Sequence, residues 1–185
     1  MNIRFPVVLC RHAEVTGMDG RCYGRSDVPL ANGWECFADG LSVLIRGSGA
    51  KIIHVSPLLR CRLLGEYVAQ KTGLPLEEDA RLQEMNFGLW EGEEWSSVSR
   101  SLLREWAKNP EAFVPPEGES GKALIERVQS YWLDIRKAAT GVCAITHGGP
   151  LKVLTALICG NSPDLSVPLM PKGSVRIMHG NTEGL

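Results

Sequence analysis

The tetrad Cys10-Arg11-His12-Ala13 follows directly on the apolar run Phe5-Pro6-Val7-Val8-Leu9. A short β-type run that ends in Arg-His aims a guanidinium and an imidazole at one point beyond the strand's carboxyl end. An imidazole is a usable nucleophile at neutral pH, and a guanidinium is a fixed, forked clamp for phosphate oxygens. The pair points to phosphoryl transfer to a histidine. Two further strand-like runs end in comparable groups. One leads into Ser56-Pro57-Leu58-Leu59-Arg60, with Arg60 one turn into the next helix, and the other into Thr146-His147-Gly148-Gly149. The segment Leu82-Gln83-Glu84-Met85-Asn86-Phe87-Gly88-Leu89-Trp90-Glu91-Gly92 adds an acidic candidate, Glu84.

Competing chemistries find no pattern. No cysteine has an arginine six positions on, and no D-x-D run exists for an aspartyl-phosphate enzyme. Gly121-Lys122 is followed by Ala123 and lacks the upstream glycine of a phosphate-binding P-loop. Neither G-x-S-x-G nor H-E-x-x-H occurs. The four histidines, His12, His54, His147 and His179, lack metal-ligand spacing. The six cysteines form no C-x-x-C pair, and reduced, mostly buried thiols are expected. His54, inside an apolar strand, reads as a packed histidine, and His179 as a surface one.

The elements that must carry these residues alternate along the chain. Strands are expected at 7–10, 51–55, 142–146 and 174–178, with a weaker one around Leu76. They are short, apolar and rich in β-branched residues, as suits strands buried on both faces. A helix is expected over 32–45, stopped by Gly47 and Gly49; a second begins at Pro57 and stops at Gly73. Val98, Leu102 and Trp106 mark a shorter helix. Ser120 is placed to cap a long one carrying Leu124, Val128, Trp132, Ile135 and Ala139 on one stripe, and residues 150–158 form the last. This alternation predicts an α/β fold with helices on both faces of a sheet. In such sheets ligands bind beyond the carboxyl ends of the strands, where Arg11-His12 and His147-Gly148 both fall.

With 185 residues and no linker or repeat, the chain is read as one domain over 1–185. Its 44 % hydrophobic and 22 % charged residues are ordinary for a globular protein, and its net charge of −1 argues against nucleic acid or an anionic membrane as partner. No apolar stretch approaches the ~20 residues of a membrane span, and residues 1–6 lack a secretory signal, so a cytoplasmic location is expected.

Taken in order, the motifs resemble those of the histidine phosphatase superfamily, the phosphoglycerate-mutase-like fold. The family's R-H-G-E appears as Arg11-His12-Ala13-Glu14, its S-x-L-x-R as residues 56–60, its L-x-E-x-x-F-G-x-W-E-G as residues 82–92 and its T-H-G-G as residues 146–149. Within the superfamily the chain is most similar to the alpha-ribazole phosphatases of cobalamin biosynthesis. Their C-Y-G-R-x-D-V-P-L appears at 22–30 and their G-E-S as Gly118-Glu119-Ser120.

The resemblance implies a three-layer α/β/α sandwich with a mostly parallel central sheet. It implies a metal-independent phosphomonoesterase that needs no cofactor and acts on a small phosphomonoester, as monomer or homodimer, with alpha-ribazole 5′-phosphate as the expected substrate. His12 would become the phosphohistidine. Arg11, Arg60 and His147 would surround the phosphoryl oxygens, and Glu84 would serve as acid and then base. The backbone of Tyr23, Gly24 and Gly148 would add phosphate contacts, and Glu14 would orient Arg11 or touch substrate. The alternatives are a phosphatase of the same fold for a sugar phosphate or phosphoglycerate, and a non-catalytic module on this fold. Three departures stand out: Ala13 for the usual Gly, Leu64 where the family often has Thr, and Val15-Thr16-Gly17-Met18 where mutases carry W-N.

Overall fold

The computed structural model describes residues 2–184. Strands β1 (Arg4–Arg11), β2 (Ile52–Val55), β3 (Leu76–Glu78), β4 (Val142–Thr146) and β5 (Val175–Asn181) form one sheet in the order β3-β2-β4-β1-β5. All pairings are parallel except β1 with β5. Helices α1 (Trp34–Ser48), α2 (Leu59–Thr72), α3 (Arg100–Lys108), α4 (Gly121–Ala138) and α5 (Gly148–Ile158) run between the strands.

The two-residue side-chain period of a strand sorts the core into two layers. On β1, Phe5, Val7 and Leu9 pack with α4 and α5, while Val8 and Cys10 pack with α1 and α2. On β4, Val142 and Ala144 join the first group, Cys143 and Ile145 the second. Both faces of β4 are covered, so all five of its residues are buried and none is charged. A third cluster lies outside both layers, where the long connection from β3 to α4 meets the segment between β1 and α1. Cys22, Trp90 and Val98 form its centre, and Phe87, Trp95, Leu102, Trp106 and Phe113 pack around them. α3 belongs to this cluster and buries none of its own residues fully.

The register sets the site. Arg11 pairs with Thr146 and Val55 pairs with Ile145, so β1, β4 and β2 finish side by side. The residues that follow, His12, His147 and Ser56, therefore emerge in one row. The His12 N–H donates to the Thr146 carbonyl at 3.0 Å and the Ser56 N–H to the Ile145 carbonyl at 3.1 Å, which extends the ladder into the site.

Several boundaries differ from expectation, each for a local reason. α1 keeps Gly47 in the helix and stops only at Gly49, whose φ of 84° is left-handed. α2 begins at Leu59 rather than Pro57, because Leu58 is extended. Its first N–H groups are met by a distant residue: Asp27 Oδ1 accepts from the Leu59 N–H at 2.8 Å. α3 lies two residues later than its apolar triplet suggested, at Arg100–Lys108. β5 is longer than 174–178 and is not buried on both faces. It is an antiparallel edge strand, with Ile177 50 % exposed. Ser120 caps α4 as expected, its Oγ accepting from the Ala123 N–H at 3.1 Å. Four of the cysteines are buried, whereas Cys36 and Cys159 are exposed. No helix among the described residues is long and apolar enough to cross a membrane.

Candidate active site

His12 is 1 % exposed, and its ring lies 5.3 Å from that of His147, centroid to centroid. Its Nδ1 lies 2.7 Å from the Ala13 carbonyl oxygen. A carbonyl only accepts, so Nδ1 carries the proton and Nε2 keeps its lone pair. Burial and then the positive charge of Arg60 push the His12 pKa from 6.5 down to about 3. The same causes hold His147 well below its ordinary value. Nε2 of His147 lies 2.8 Å from Ser56 Oγ and 3.4 Å from Cys61 Sγ. The fold thus keeps two neutral imidazoles next to two guanidiniums.

Those guanidiniums are held by backbone carbonyls, not by carboxylates. Arg11 Nη1 donates to the Met170 carbonyl. Arg60, fully buried, donates through Nη1 to the Ser26 carbonyl at 2.8 Å and through Nη2 to the Gly24 carbonyl at 2.6 Å, and lies over the Tyr23 ring at 5.0 Å. Among the described residues neither arginine pairs with an acid, so each positive charge stays available to an anion. The Nε atoms of Arg11 and Arg60 are both buried without a hydrogen-bond partner. An unmet buried donor is costly, and both guanidiniums act on the unprotonated imidazole of His12.

The loop that carries Gly24 and Ser26 is fixed by Glu91. Its Oε1 accepts from the Arg25 and Phe87 N–H groups at 2.9 and 3.0 Å, and its Oε2 from Ser26 N–H and Oγ at 2.7 and 2.6 Å. This close approach requires glycine at position 24. A Cβ there would lie 2.2 Å from Glu91 Oε1 and 2.9 Å from the Met85 carbonyl, at a φ of +31°.

Glu84 sits across the start of α5. The Gly149 N–H donates to its Oε1 at 3.0 Å and to its Oε2 at 3.3 Å, and the Met85 N–H to Oε1 at 3.0 Å. A Cβ on Gly149 would lie 2.5 Å from Glu84 Oε1, so a larger residue would expel the carboxyl group.

Arg11, Tyr23, Gly24, Glu84 and Gly149 line one cleft of ≈ 250 Å³. Its far wall is apolar and aromatic, from Phe87, Trp95, Trp106 and Leu165, with Arg21 and Lys152 at its edge. The Trp95 and Trp106 rings are stacked, with 10° between their planes. Among the described residues no group of three His, Cys, Asp or Glu side chains is disposed to hold a metal ion.

Of the residues singled out in the sequence, Arg11, His12, Arg60 and His147 meet in one place, and Glu84, Tyr23 and Gly24 line the cleft beside it. Gly148 packs against the Arg11 guanidinium, its Cβ position being 3.5 Å from Cζ. Glu14 points elsewhere: its side chain is 65 % exposed and pairs with Lys172 at 2.8 Å. Leu64 is fully buried in the core between the sheet and α1 and α2, not in the cleft. His54 is half-buried, 3.1 Å from the Tyr131 hydroxyl, and His179 is exposed. Sequence reasoning gave no role to Arg25, Glu91 or Arg127. The first two lie inside the motif matches, whereas nothing in the sequence marked Arg127.

The sequence profile of the histidine phosphatase superfamily (branch 1) matches residues 7–184, and the chain belongs to that family. Curated proteins similar to it carry names of phosphatases and of a probable phosphoglycerate mutase. A putative phosphoserine phosphatase 2 of Hydrogenobacter thermophilus is 30 % identical over 113 residues, which are 59 % of this chain and 56 % of the relative. The chain thus spans little over half the length of that relative. Adenosylcobalamin/alpha-ribazole phosphatase of Escherichia coli is 29 % identical over 163 residues, 82 % of this chain and 78 % of the relative. The crystal structure of the alpha-ribazole phosphatase from Shigella flexneri has the same fold, at a TM-score of 0.83 and 22 % identity, covering 94 % of this chain and 89 % of that one.

Proposed function

We propose that residues 1–185 act as one domain and that this domain is a metal-independent phosphomonoesterase working through a phosphohistidine at His12. The observation that carries the reading is the pair of buried, unpartnered Nε–H groups of Arg11 and Arg60 flanking an imidazole whose Nε2 is unprotonated. Phosphate oxygens bound there would satisfy both donors and place phosphorus against Nε2.

In the first step the Nε2 lone pair attacks phosphorus and the bond to the leaving-group oxygen breaks. Arg11, Arg60 and His147 offset the charge on the phosphoryl oxygens. Glu84 gives the departing alkoxide its proton. In the second step water attacks the phosphohistidine, Glu84 takes a proton from that water, and the phosphorus–nitrogen bond breaks to release phosphate. The Gly148 N–H, at the start of α5, adds a donor to the bound oxygens, and the Tyr23-Gly24 backbone does so from the other side. Glu14, paired with Lys172, acts at most at the rim.

The substrate we favour is alpha-ribazole 5′-phosphate or its cobamide-level equivalent, in the cytoplasm. Support comes from the motif at 22–30, the relative in Escherichia coli and the aromatic wall of the cleft, which suits a flat benzimidazole nucleoside. The test is a side-by-side measurement of kcat/KM, with EDTA present, on alpha-ribazole 5′-phosphate, phosphoserine and 3-phosphoglycerate. The reading predicts the highest value for the first. A much higher value for either carboxylate-bearing substrate would move the assignment to the cationic edge formed by Arg21 and Lys152.

A further inference from the structure

One ion-pair network outside the phosphate site is joined to Glu84 through its backbone. Arg127, on α4, donates through Nη1 to the carbonyls of Arg81 and Gln83 at 2.6 and 2.7 Å, and through Nη2 to that of Glu84 at 3.0 Å. Arg25 reaches the same Glu84 carbonyl from the opposite loop, through Nε at 3.2 Å. Glu119 ties the two together. Its Oε2 accepts from Arg25 Nη2 at 3.1 Å and Arg127 Nε at 3.3 Å, and its Oε1 from Arg127 Nη2 at 2.7 Å. Oε1 also accepts from the Asn86 N–H at 2.9 Å. The side chains of Glu119 and Arg127 are only 15 % and 16 % exposed.

The chain on both sides of Glu84 is therefore pinned by one carboxylate and two forked guanidiniums. The carboxyl of Glu84 itself is held by two backbone N–H groups, so its place in the cleft depends on where its own backbone sits. Charge-assisted, forked hydrogen bonds are the ones that fix geometry best, and a proton donor displaced by about 1 Å loses much of its effect.

We propose that Glu119, acting through Arg127 and Arg25, is the positioning residue for Glu84, and that it controls proton delivery to the leaving group rather than phosphate binding. This rests on the reading of Glu84 as the general acid. It predicts a signature that a merely structural role would not give. Loss of Glu119 should slow esters whose leaving group needs a proton and largely spare those whose leaving group does not.

The experiment compares kcat/KM for benzyl phosphate, an alkyl ester, with that for p-nitrophenyl phosphate, whose leaving group departs as the anion. Wild type, Glu84→Gln, Glu119→Gln and Arg127→Lys are measured, and thermal unfolding reports which variants are folded. Glu84→Gln should lower the benzyl/nitrophenyl ratio by about 100-fold. Glu119→Gln should lower it by about tenfold in the same direction, and Arg127→Lys, which keeps the charge but loses the fork, should do likewise. If Glu84→Gln shifts the ratio while Glu119→Gln and Arg127→Lys lower both substrates equally, or neither, the positioning role is wrong and the acid assignment stands. If Glu84→Gln leaves the ratio unmoved, the acid assignment falls and the positioning role falls with it. Should Glu119→Gln not fold, the ratio for Arg127→Lys decides.

Discussion

Keeping His12 neutral inside the fold has a thermodynamic signature that can be measured without any substrate. In the folded chain its pKa is about 3, against an ordinary value of 6.5 when the chain unfolds. A histidine with a depressed folded pKa contributes its full stability above 6.5 and loses it as pH falls toward 3, because the unfolded state takes up the proton first. Between about pH 6 and pH 5 the unfolded chain binds nearly one proton more at this position, so stability falls by about 1.2 kcal/mol over that unit. His147 is shifted in the same direction, so it adds to the fall. Asn in place of His12 keeps a donor for the Ala13 carbonyl and removes the titration. Urea unfolding of both proteins in phosphate-free buffer, from pH 8 to pH 5, provides the assay. The wild-type curve should fall more steeply than that of His12→Asn, by about 1.2 kcal/mol across the last pH unit. Parallel curves would refute the reasoning, since His12 would then titrate alike in both states and would not be held ready for attack.

Other perturbations follow from the same geometry. Arg60→Lys keeps a charge but cannot span the Gly24 and Ser26 carbonyls, and steady-state kinetics should show kcat/KM reduced by about 10²–10³. Gly24→Ala drives a methyl into Glu91 Oε1 and the Met85 carbonyl, releasing the loop that holds Arg60. Both activity and denaturant stability should fall, the latter by about 2 kcal/mol or more. Leu64→Thr restores the residue frequent in the family at a site that here is dry core. It should lower unfolding free energy by about 1–3 kcal/mol without raising kcat/KM.

Much of the site was legible because its parts are short motifs at strand ends. Arg11-His12 and Thr146-His147 each carry their own placement: a buried strand, then a sharp exit. Glu84 was visible for a different reason, as part of a long, specific motif in a loop. What stayed hidden depends on register and on contacts between distant segments. An apolar pattern does not encode strand direction, so nothing in 174–178 announced an antiparallel edge. Asp27 caps α2 across the fold, which is why Pro57 misled the helix start. Arg127 falls on an ordinary polar position of α4, and only the packing of that helix against 81–84 gives it a purpose. Glu14, two residues past the nucleophile in sequence, lies beyond the end of β1, where no strand period fixes its direction, and it turns to Lys172 instead of the cleft.

The central claim is that phosphorus passes through His12. The direct measurement is rapid acid-free quenching of the enzyme during turnover, followed by peptide mass spectrometry under alkaline conditions that preserve phosphohistidine. The account predicts an 80 Da-type phosphoryl adduct on the peptide bearing His12, about one per chain in the burst phase, and none in His12→Asn. Steady turnover with no phosphorylated His12, or an adduct of equal size in His12→Asn, would contradict it.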